Sequence, residues 1–555
     1  MSGAPHGNRR CRPGDCGECP AAGGGEGVKT PMLDLVLYNG TVLTQVNSTI
    51  AQAVGVRDGC IAHVGTTADV LAAAGAKTRK IDLAGRTLVP GMNDAHAHVW
   101  KIGHLLTSML DVRRVASIDE LVSGVKAFST RLPLGAWLLG RGYNEAAMKE
   151  RRSPTRADLD RAETGRPVVL TRMCGHMYAL NSAALKEACI GADTAAPVGG
   201  VIDRDDRGEP TGVLRETAMG LVNKVMPPPT AGEYEAMIAA GLRHQVALGI
   251  TSSADCGVSP QLLNVYRAVA GKHGLAARMN VMPLRRVDGV PEPLALPLQH
   301  VSDMLRMDTV KFLADGGLSG ATAALRVNYR HVAEKGVLRF DQDELRELCA
   351  EAHRAGWRIA THAIGDAAID QVLDIYEGLG AHPRGLAHRI EHFGLPDAAQ
   401  LARAAKLRVI AAPQTVFIHS LGPNFRRYLP DSYLSRTYPI RAMLDAGVRV
   451  ALSSDAPVVE DDNPFVGMMA AVTRLDNAGH LIAPAQAITT AEALYAYTMG
   501  GAIATGDEGN RGSVETGKWA DFAVLSQNPL AISPEMLPAL RVDMTLVAGR
   551  VVFEQ

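Results

Sequence analysis

Two histidines separated by a single residue, His96 and His98, follow a short apolar run that ends at Pro90-Gly91. In an extended segment, side chains two residues apart point to the same side. Both imidazoles can therefore bind one metal ion from the end of a single strand. In a chain with 17 histidines among 555 residues, such a pair alone is a weak signal, and its meaning depends on the residues that follow.

The same kind of position, at the end of a short apolar run, recurs downstream at Lys311, His362, His392 and Asp455. Imidazole nitrogen and carboxylate oxygen are the ligands expected of a catalytic zinc or a similar divalent ion. A single buried histidine is usually a satisfied core residue, and an aspartate at a strand end often caps the next helix. Lysine within Val310–Leu313 is harder to explain, because an unpaired ammonium in a core is costly. Together the six residues favour a metal site over separate structural roles.

Short apolar runs alternate with helical patterns, such as Glu233 to Leu248 and Gln342 to Ala355, through the middle of the chain. We place strands near residues 87–92, 249–255, 278–284, 308–314, 358–363, 386–392, 408–413 and 449–454. Eight such units predict an α/β fold, a (β/α)8 TIM-like barrel, whose reactive groups lie at the carboxyl ends of its strands. The metal-ligand candidates lie at those ends, after the first, fourth, fifth, sixth and eighth strands.

Both ends of the chain are rich in short β-like runs, with turn signals at Asn39-Gly40 and Asp58-Gly59. This pattern predicts one small β domain made from residues 31–86 and 500–555, beside a barrel over 87–499. The gap between the first two strands, about 100–248, contains its own apolar strand, Pro167 to Arg172, and predicts an ordered insertion over the barrel mouth.

The order of these candidates resembles that of the amidohydrolase superfamily of metal-dependent hydrolases. The surrounding phrases resemble its third sequence family, the branch that includes N-substituted formamide deformylases, in which the terminal domain is a small β-sandwich. The likeness runs from about Leu33 to Val552, and the matching phrases are Thr361-His-Ala-Ile-Gly-Asp366, Arg389-Ile-Glu-His392, Ser453-Ser-Asp-Ala-Pro457 and Gly512-Ser-Val-Glu-Thr-Gly-Lys-Trp-Ala-Asp521.

The resemblance implies a centre of two divalent metal ions, with zinc as the expected metal. One ion would be bound by His96, His98 and Asp455. The other would be bound by His362 and His392.

Lys311 would bridge the two ions after carboxylation of its amine at N6. A lysine amine held away from water loses its proton readily, and the resulting carbamate is an anionic oxygen ligand. One metal with an unmodified Lys311 is the alternative. A metal lowers the pKa of its bound water toward about 7, and Asp455 would take the proton and pass it to the leaving nitrogen. Asp315 and Asp366 follow ligand positions and would orient them.

The insertion is expected to shape the substrate pocket. His176, in Cys174-Gly-His-Met-Tyr-Ala-Leu-Asn181, lies in a segment that resembles one lining the pocket in this branch. It would hold the carbonyl oxygen or the polar tail of the substrate, and a hydrogen-bonded structural histidine is the alternative. Tyr143, in Gly140-Arg-Gly-Tyr-Asn144, is a second substrate-binding candidate.

The expected function is hydrolysis of a non-peptide carbon–nitrogen bond of the amide type in a small molecule. A deaminase, or a hydrolase of ester, lactone, carbamate or urea-type bonds, would use the same scaffold, since fold does not fix substrate. A non-catalytic scaffold protein is a third hypothesis, and the six intact ligand positions argue against it.

The composition is that of an ordinary globular enzyme, with 47% hydrophobic and 21% charged residues. A formal net charge of −1 predicts neither nucleic-acid nor membrane binding. No apolar stretch reaches the roughly 18 residues of a membrane helix, and the start lacks the apolar core of a signal peptide. We therefore expect a cytoplasmic enzyme with a small-molecule substrate, and a homodimer is compatible with these features.

Three of the eight cysteines, Cys11, Cys16 and Cys19, lie in a segment rich in glycine and proline at the start of the chain. Their spacing is similar to that of a plant-type iron–sulfur run, but a fourth ligand and a supporting fold are missing. We expect residues 1–30 to form a disordered tail.

Overall fold

The computed structural model describes residues 32–145, 147–173, 175, 177–197, 200–272, 274–287, 292–331 and 333–555. His176 and the predicted tail with its three cysteines lie outside the described residues. The helices are Thr67–Ala72, Val99–Thr107, Ile118–Ser129, Arg156–Asp160, Ser182–Glu187, Gly220–Asn223, Ala231–Ala247, Pro260–Lys272, Gln342–Arg354, Asp366–Leu379, Ala398–Lys406, Val416–Tyr428, Asp431–Leu434, Ile440–Asp445, Pro464–Thr473, Thr490–Tyr497 and Met499–Thr505. Among the described residues, none of these helices combines the length and the apolar character needed to cross a membrane.

The predicted helix that begins at Gln342 shows why such segments form. Asp341 caps it by accepting a hydrogen bond from the Asp343 N–H, and the acidic first turn opposes a basic last turn, which suits the helix dipole. Leu345, Cys349 and Ala352 are buried at helical spacing, so one face packs inward.

Two five-stranded sheets form the centre of the molecule, and they are parallel except where His300–Val301 pairs with its neighbour. In spatial order the first contains His300–Val301, Leu305–Met307, Arg278–Pro283, Ile250–Val258 and Met92–Ala97. The second contains Thr309–Leu313, Arg358–Ala363, Arg389–His392, Ile410–Ala412 and Arg449–Val450. The second to eighth predicted strands fall where the sequence places them, to within a few residues.

The first predicted strand is placed wrongly. Thr87–Pro90 pairs with Thr41–Leu43 and Phe522–Leu525, in a sheet made from both chain ends. The chain changes sheets at Gly91, where an added Cβ would lie 2.1 Å from the Thr251 hydroxyl oxygen. The first strand of the central sheets is therefore Met92–Ala97. Residues 87–97 are all buried, so the apolar pattern does not show where one sheet ends and the next begins.

The edges of the two central sheets meet at both sides. Leu284 forms a parallel bridge with Lys311 at one side. At the other, the Asp455 N–H donates to the His96 carbonyl (2.7 Å), and the His98 N–H donates to the Ala456 carbonyl (2.8 Å). These contacts are local and do not join the ladders into one continuous ring, so the closed barrel stays a prediction.

The chain ends form two further sheets that pack around a common hydrophobic cluster, with Leu35 and Leu37 from one end and Phe522 and Leu546 from the other. One sheet has the order Cys60–Gly65, Ala53–Arg57, Leu35–Tyr38 and Arg79–Asp82. The other has the order Arg550–Glu554, Val542–Val547, Phe522–Leu525, Thr87–Pro90, Thr41–Leu43 and Ile50–Ala51. The sandwich class and the domain boundaries stay predictions.

The segment between the first two central strands contains a mixed sheet of its own. Its order is Gly200–Arg204, Pro210–Glu216, Met177–Leu180, Val168–Arg172, Leu138–Tyr143 and Leu110–Asp111. The apolar strand predicted at Pro167 to Arg172 is confirmed as Val168–Arg172.

Candidate active site

Three of the predicted ligands come together where the edges of the two central sheets meet. His96 lies in the strand Met92–Ala97, His98 follows that strand, and Asp455 lies beyond Arg449–Val450. Asp455 Oδ1 is 3.4 Å from His96 Nε2 and 3.1 Å from His98 Nε2. One ligand atom from each of the three residues lies within 4.8 Å of the others, a spacing that suits one metal ion.

The backbone and Asp94 place the Asp455 carboxylate. Asp455 has a left-handed φ of 57°, a conformation that aspartate adopts more readily than most residues. Asp94, buried below it, accepts hydrogen bonds from the backbone N–H and the hydroxyl of Ser454. Burial alone would raise the pKa of Asp455, but His96 and His98 outweigh it and hold that pKa well below its usual range. Asp455 is therefore ionised, the form that a metal ligand requires.

His362 and His392 continue the row of imidazoles. The ring centroids of His362 and His392 are 4.4 Å apart, and those of His392 and His96 are 4.9 Å apart. Burial lowers the pKa of His98 to about 3 and lowers those of His96 and His392 as well. Neutral imidazole is the form that binds a metal.

Lys311 lies among these groups and is 2% exposed. Within the described residues its Nζ has no hydrogen-bond partner. Its strand, Thr309–Leu313, pairs in parallel with Arg358–Ala363, the strand that carries His362. A buried amine without a partner is costly, and conversion to a carbamate that binds metal would remove that cost. The residues present thus fit a divalent metal centre.

A hydrogen bond to Nδ1 of His96 determines that Nε2 is the nitrogen that would bind a metal. Its Nδ1 lies 2.6 Å from Glu391 Oε2. Arg389 donates to both oxygens of Glu391 (2.8 and 2.9 Å). Burial would raise the pKa of Glu391, but Arg389 and His96 hold it well below its usual range. The ionised carboxylate therefore keeps the proton on Nδ1 and leaves the Nε2 lone pair facing Asp455.

Hydrogen bonds to one ring nitrogen also orient His392 and His362. Gln414 donates through Nε2 to the Ala412 carbonyl (2.8 Å), so its Oε1 accepts from His392 Nδ1 (2.5 Å). His362 Nε2 donates to the Gly316 carbonyl (3.0 Å). These bonds leave Nε2 of His392 and Nδ1 of His362 free to bind a metal.

Glu391 and Gln414 were missed by sequence reasoning. Arg389 and Glu391 are two residues apart in one strand and share a face, the signal that made His96 and His98 notable. His392 follows with a positive φ of 67°, which interrupts the strand alternation directly after Glu391. Gln414 gives no comparable signal in the sequence.

The two predicted supporting aspartates have different outcomes. Asp315 lies 3.3 Å from His362 Nε2, and it accepts hydrogen bonds from the backbone N–H groups of Ile364 and Gly365. Asp315 therefore lies beside His362, and its role in orienting a metal ligand stays a prediction. Asp366 instead accepts from the Tyr433 hydroxyl (2.6 Å) and from Arg436. The prediction that Asp366 orients a ligand is wrong, because its carboxylate faces these residues.

The two predicted substrate-binding residues stay predictions. His176 lies outside the described residues. Tyr143 ends the strand Leu138–Tyr143 and is fully buried in the insertion, where it belongs to the same hydrophobic cluster as Val112 and Leu170.

Open space separates the insertion sheet from the loops at the carboxyl ends of the central strands. A cavity of about 1020 Å³ is lined by Arg172 and Val213 on the insertion side and by Gly317 and Tyr428 on the other. A smaller cavity of about 210 Å³ shares Arg172 and Tyr428 with it and reaches Val458. The Val458 N–H donates to the Asp455 carbonyl (3.0 Å), so the space extends to the loop that carries this ligand.

Parallel α/β sheets with histidines, a lysine and an aspartate at the strand ends define a chain of the metal-hydrolase type. Residues 79–553 match the model of the amidohydrolase family, and the chain belongs to that family. It is 32% identical over 519 residues to YtcJ of Bacillus subtilis, a protein named as an amidohydrolase, covering 91% of this chain and 96% of the relative. It is also 32% identical over 550 residues to the N-substituted formamide deformylase of Arthrobacter pascens, covering 95% and 99%.

Solved structures give the same fold. The chain superposes on an uncharacterised metal-dependent hydrolase from Pyrococcus horikoshii with a TM-score of 0.75 and 25% identity, covering 90% of this chain and 99% of the other. A second such hydrolase, from Pyrococcus furiosus, gives a TM-score of 0.73 and 26% identity, covering 89% and 99%.

Proposed function

We propose that this protein is a metal-dependent hydrolase that cleaves a non-peptide carbon–nitrogen bond, of the amide type, in a small molecule. The observation that carries the proposal is the convergence of four histidines, one ionised aspartate and one unpartnered lysine at the ends of neighbouring strands. The name of the Arthrobacter relative, a formamide deformylase, supports the choice of bond. The Pyrococcus structures, titled metal-dependent hydrolases, support the choice of cofactor.

Two divalent ions, most simply zinc, are part of the proposal. His96, His98 and Asp455 would hold one and His362 and His392 the other, with Lys311 between them as a carbamate. When bound, such ions polarise the scissile carbonyl and lower the pKa of water to about 7. Six ligand positions support two ions, because one tetrahedral zinc uses four.

The protein's own residues would move the proton. Asp455 takes it from the attacking water and donates it to the leaving nitrogen, which would otherwise depart as an unstable anion. Glu391 and Gln414 hold the imidazoles of His96 and His392 in place during this transfer.

A closed (β/α)8 barrel is also part of the proposal. The Leu284–Lys311 bridge and the hydrogen bonds of Asp455 and Ala456 to the first strand support closure. Closure would bring the first and eighth strands side by side, and with them the His96, His98 and Asp455 group.

A substrate panel tests the proposal. Purified protein loaded with zinc would be assayed on matched N-formyl, N-acetyl, carbamate and cyclic amide compounds, with ester, lactone and aminopurine arms for the competing reactions. We expect turnover of amide-type members that is lost on chelation and regained with zinc. Turnover confined to esters, lactones or amino groups of heterocycles would assign one of the other reactions, and activity unaffected by chelation would refute the metal-dependent mechanism.

A further inference from the structure

One ammonium group beside the proposed metal site has no part in the proposed chemistry. Lys101 lies in the first turn of the helix Val99–Thr107, three residues after His98. His98 is the N-cap residue of this helix, so Lys101 and His98 both lie at its N-terminal end. Lys101 is partly buried, and its Nζ lies 5.8 Å from the centroid of the Trp100 ring. Within the described part of the chain, this ammonium has neither a hydrogen bond nor an ion pair.

Charged groups from three other parts of the chain shift the pKa of Lys101. Its pKa is lowered first by burial and then by Arg141, which comes from the insertion strand Leu138–Tyr143. Asp255 and Asp455 raise it. The Trp100 N–H also donates to Asp255 Oδ2 (3.4 Å), so the start of this helix lies at the carboxyl end of the strand Ile250–Val258, with Lys101 three residues beyond His98.

Neither of these carboxylates forms a hydrogen bond or an ion pair with the Lys101 ammonium among the described residues. Asp255 accepts hydrogen bonds from the Tyr266 hydroxyl (2.5 Å) and the Trp100 N–H (3.4 Å), and burial raises its pKa to about 7. Asp455 faces His96 and His98 and would be a metal ligand. In the metal-loaded protein, Lys101 would thus be an uncompensated cation beside further positive charge, which is costly unless an anion binds there.

We propose that Lys101, with positive charge added by Arg141, binds a carboxylate group of the substrate. The inference rests on the proposed function and narrows its substrate class to amide-type compounds that carry a carboxylate close to the scissile bond. A charge-assisted hydrogen bond to Lys101 would position the carbonyl over the metal site. A neutral substrate would leave the ammonium buried and unpaired.

The two cavities between the insertion and the central strands, which would be the route to the site, are lined by more basic than acidic side chains. Arg204 is held by the carbonyls of Thr194 (2.6 Å) and Gly208 (2.7 Å) and by no carboxylate among the described residues. The basic residues that line the two cavities are Arg152, Arg172, Arg204, Arg215 and Arg427, and the acidic ones are Glu145, Asp203 and Glu216. Such a path favours the entry of anions.

Calorimetric binding to the zinc-loaded protein tests this inference without any need for turnover. The probes would be 4-oxopentanoate and the neutral 2-hexanone, ketones that present a carbonyl but no bond to hydrolyse. We expect the carboxylate to bind roughly tenfold or more tightly to the wild-type protein. Lys101→Met should abolish this preference, and Lys101→Arg should keep part of it. Lys126→Met, which removes an exposed lysine paired with Glu163, should leave it unchanged.

Equal affinity of the two probes for the wild-type protein would overturn the inference. A carboxylate preference that survives Lys101→Met would also overturn it, since the carboxylate would then be bound elsewhere, for example by the metal. Metal content and circular dichroism of each variant establish that the site is intact, and Lys101→Arg supplies the comparison if Lys101→Met does not fold. If no amide-type member of the substrate panel is turned over, the proposed hydrolysis is refuted. The carboxylate preference is decided by the binding measurement alone.

Discussion

Hydrogen bonds to the Nδ1 atoms of His96 and His392 decide how these two imidazoles are prepared for metal. Glu391 holds His96 and Gln414 holds His392, so in both rings the proton lies on Nδ1 and Nε2 is free. Asp455 needs no such partner, because His96 and His98 keep its pKa low. The side chains that would bind the ions are therefore already oriented in the protein without metal. This order reduces the conformational entropy that is lost on metal binding.

Asp455→Asn should separate metal binding from proton transfer. The substitution keeps the shape and one oxygen ligand but removes the basic site. We expect metal content to survive at least in part, while kcat falls by at least the roughly 10²–10⁴-fold typical of a lost general base. Steady-state kinetics with elemental analysis of the same sample measure both. A variant that keeps its metals and more than about a tenth of the wild-type kcat would show that another residue is the base, and His176 would be tested first.

Gln414→Leu should weaken metal binding by removing the hydrogen bond that orients His392. Without the Oε1 acceptor, the Nδ1 proton and the ring orientation of His392 are no longer fixed, and we expect a 10–100-fold loss of metal affinity. Competition with a chromogenic chelator measures the metal Kd. Gln371→Leu is the matched control, because Gln371 is also buried but donates to the Phe340 carbonyl, on a helix away from the site. Equal Kd values for the two variants would contradict this role.

The six ligand candidates could be predicted because each follows an apolar run. Their supporting residues could not, since the pairings are distant in the chain. His96 and Glu391 are 295 positions apart, and a pattern over neighbouring residues carries no information on such a contact. Asp94 is close to His96 in sequence, but its role depends on Ser454, 360 positions away.

At the scale of elements, the strand Arg389–His392 has a metal-ligand candidate at its carboxyl end and a separate histidine cluster at its amino end. His392 lies at the carboxyl end, among the ligands. His388 precedes the strand and packs with His353 and His382, with ring centroids 5.2 to 5.5 Å apart. The Ile359 N–H donates to His388 Nδ1, and His388 Nε2 lies 3.0 Å from His353 Nδ1. The cluster is therefore built from neutral imidazoles.

This histidine cluster should make the protein sensitive to acid. Burial, followed by the charges of His382 and His353, lowers the pKa of His388 from 6.5 to about 3. The unfolded chain then takes up the proton more readily than the folded one. Stability from this group is complete above pH 6.5 and falls by up to about 1.4 kcal/mol per pH unit below it. Thermal unfolding in saturating zinc should show a weaker acid dependence for His388→Gln than for wild type.

The exposed His300 provides the control for that measurement. His300→Gln should leave the acid dependence as in wild type, because an exposed imidazole is not desolvated on folding. Parallel wild-type and His388→Gln curves between about pH 7.5 and 5 would show that the cluster does not govern acid sensitivity.

Element positions were predictable where a strand is apolar and bounded by turn residues. The strand Arg358–Ala363 and the helix Gln342–Arg354 fall where the sequence places them. The first central strand was displaced because Thr87–Pro90 and Met92–Ala97 form one continuous buried run that serves two sheets. Only the close approach of Gly91 to Thr251 separates them, and that contact is tertiary.

At the scale of the whole molecule, a buried ion pair between Arg278 and Asp521 joins the C-terminal segment to the central sheets. Arg278, in the strand Arg278–Pro283, donates to both oxygens of Asp521 (2.6 and 2.9 Å), and both side chains are nearly inaccessible. The Arg278 guanidinium also lies 3.8 Å from the centroid of the Trp519 ring. The pair thus links residues 243 positions apart.

Asp521→Asn should destabilise the whole fold without changing the chemistry of the site. Loss of the carboxylate leaves the Arg278 charge buried and unpaired, at a cost of about 3–5 kcal/mol. Urea denaturation measures the change, and kcat per folded molecule should stay near the wild-type value. The double variant Arg278→Met with Asp521→Asn should recover part of the loss. If Asp521→Asn unfolded at the same urea concentration as the wild-type protein, the ion pair would not contribute to stability.

The number of metal ions bound per chain decides whether this protein has a two-metal hydrolytic centre. Elemental analysis of purified protein, with kcat measured on the same sample, should give about two divalent ions per chain at full activity, as expected for six ligands. Metal-free protein should be inactive, and zinc titration should restore activity in step with binding. Lys311→Ala should bind less metal and lose activity by orders of magnitude. Full activity at one ion per chain would contradict the two-metal centre, and full activity without metal would contradict the account as a whole.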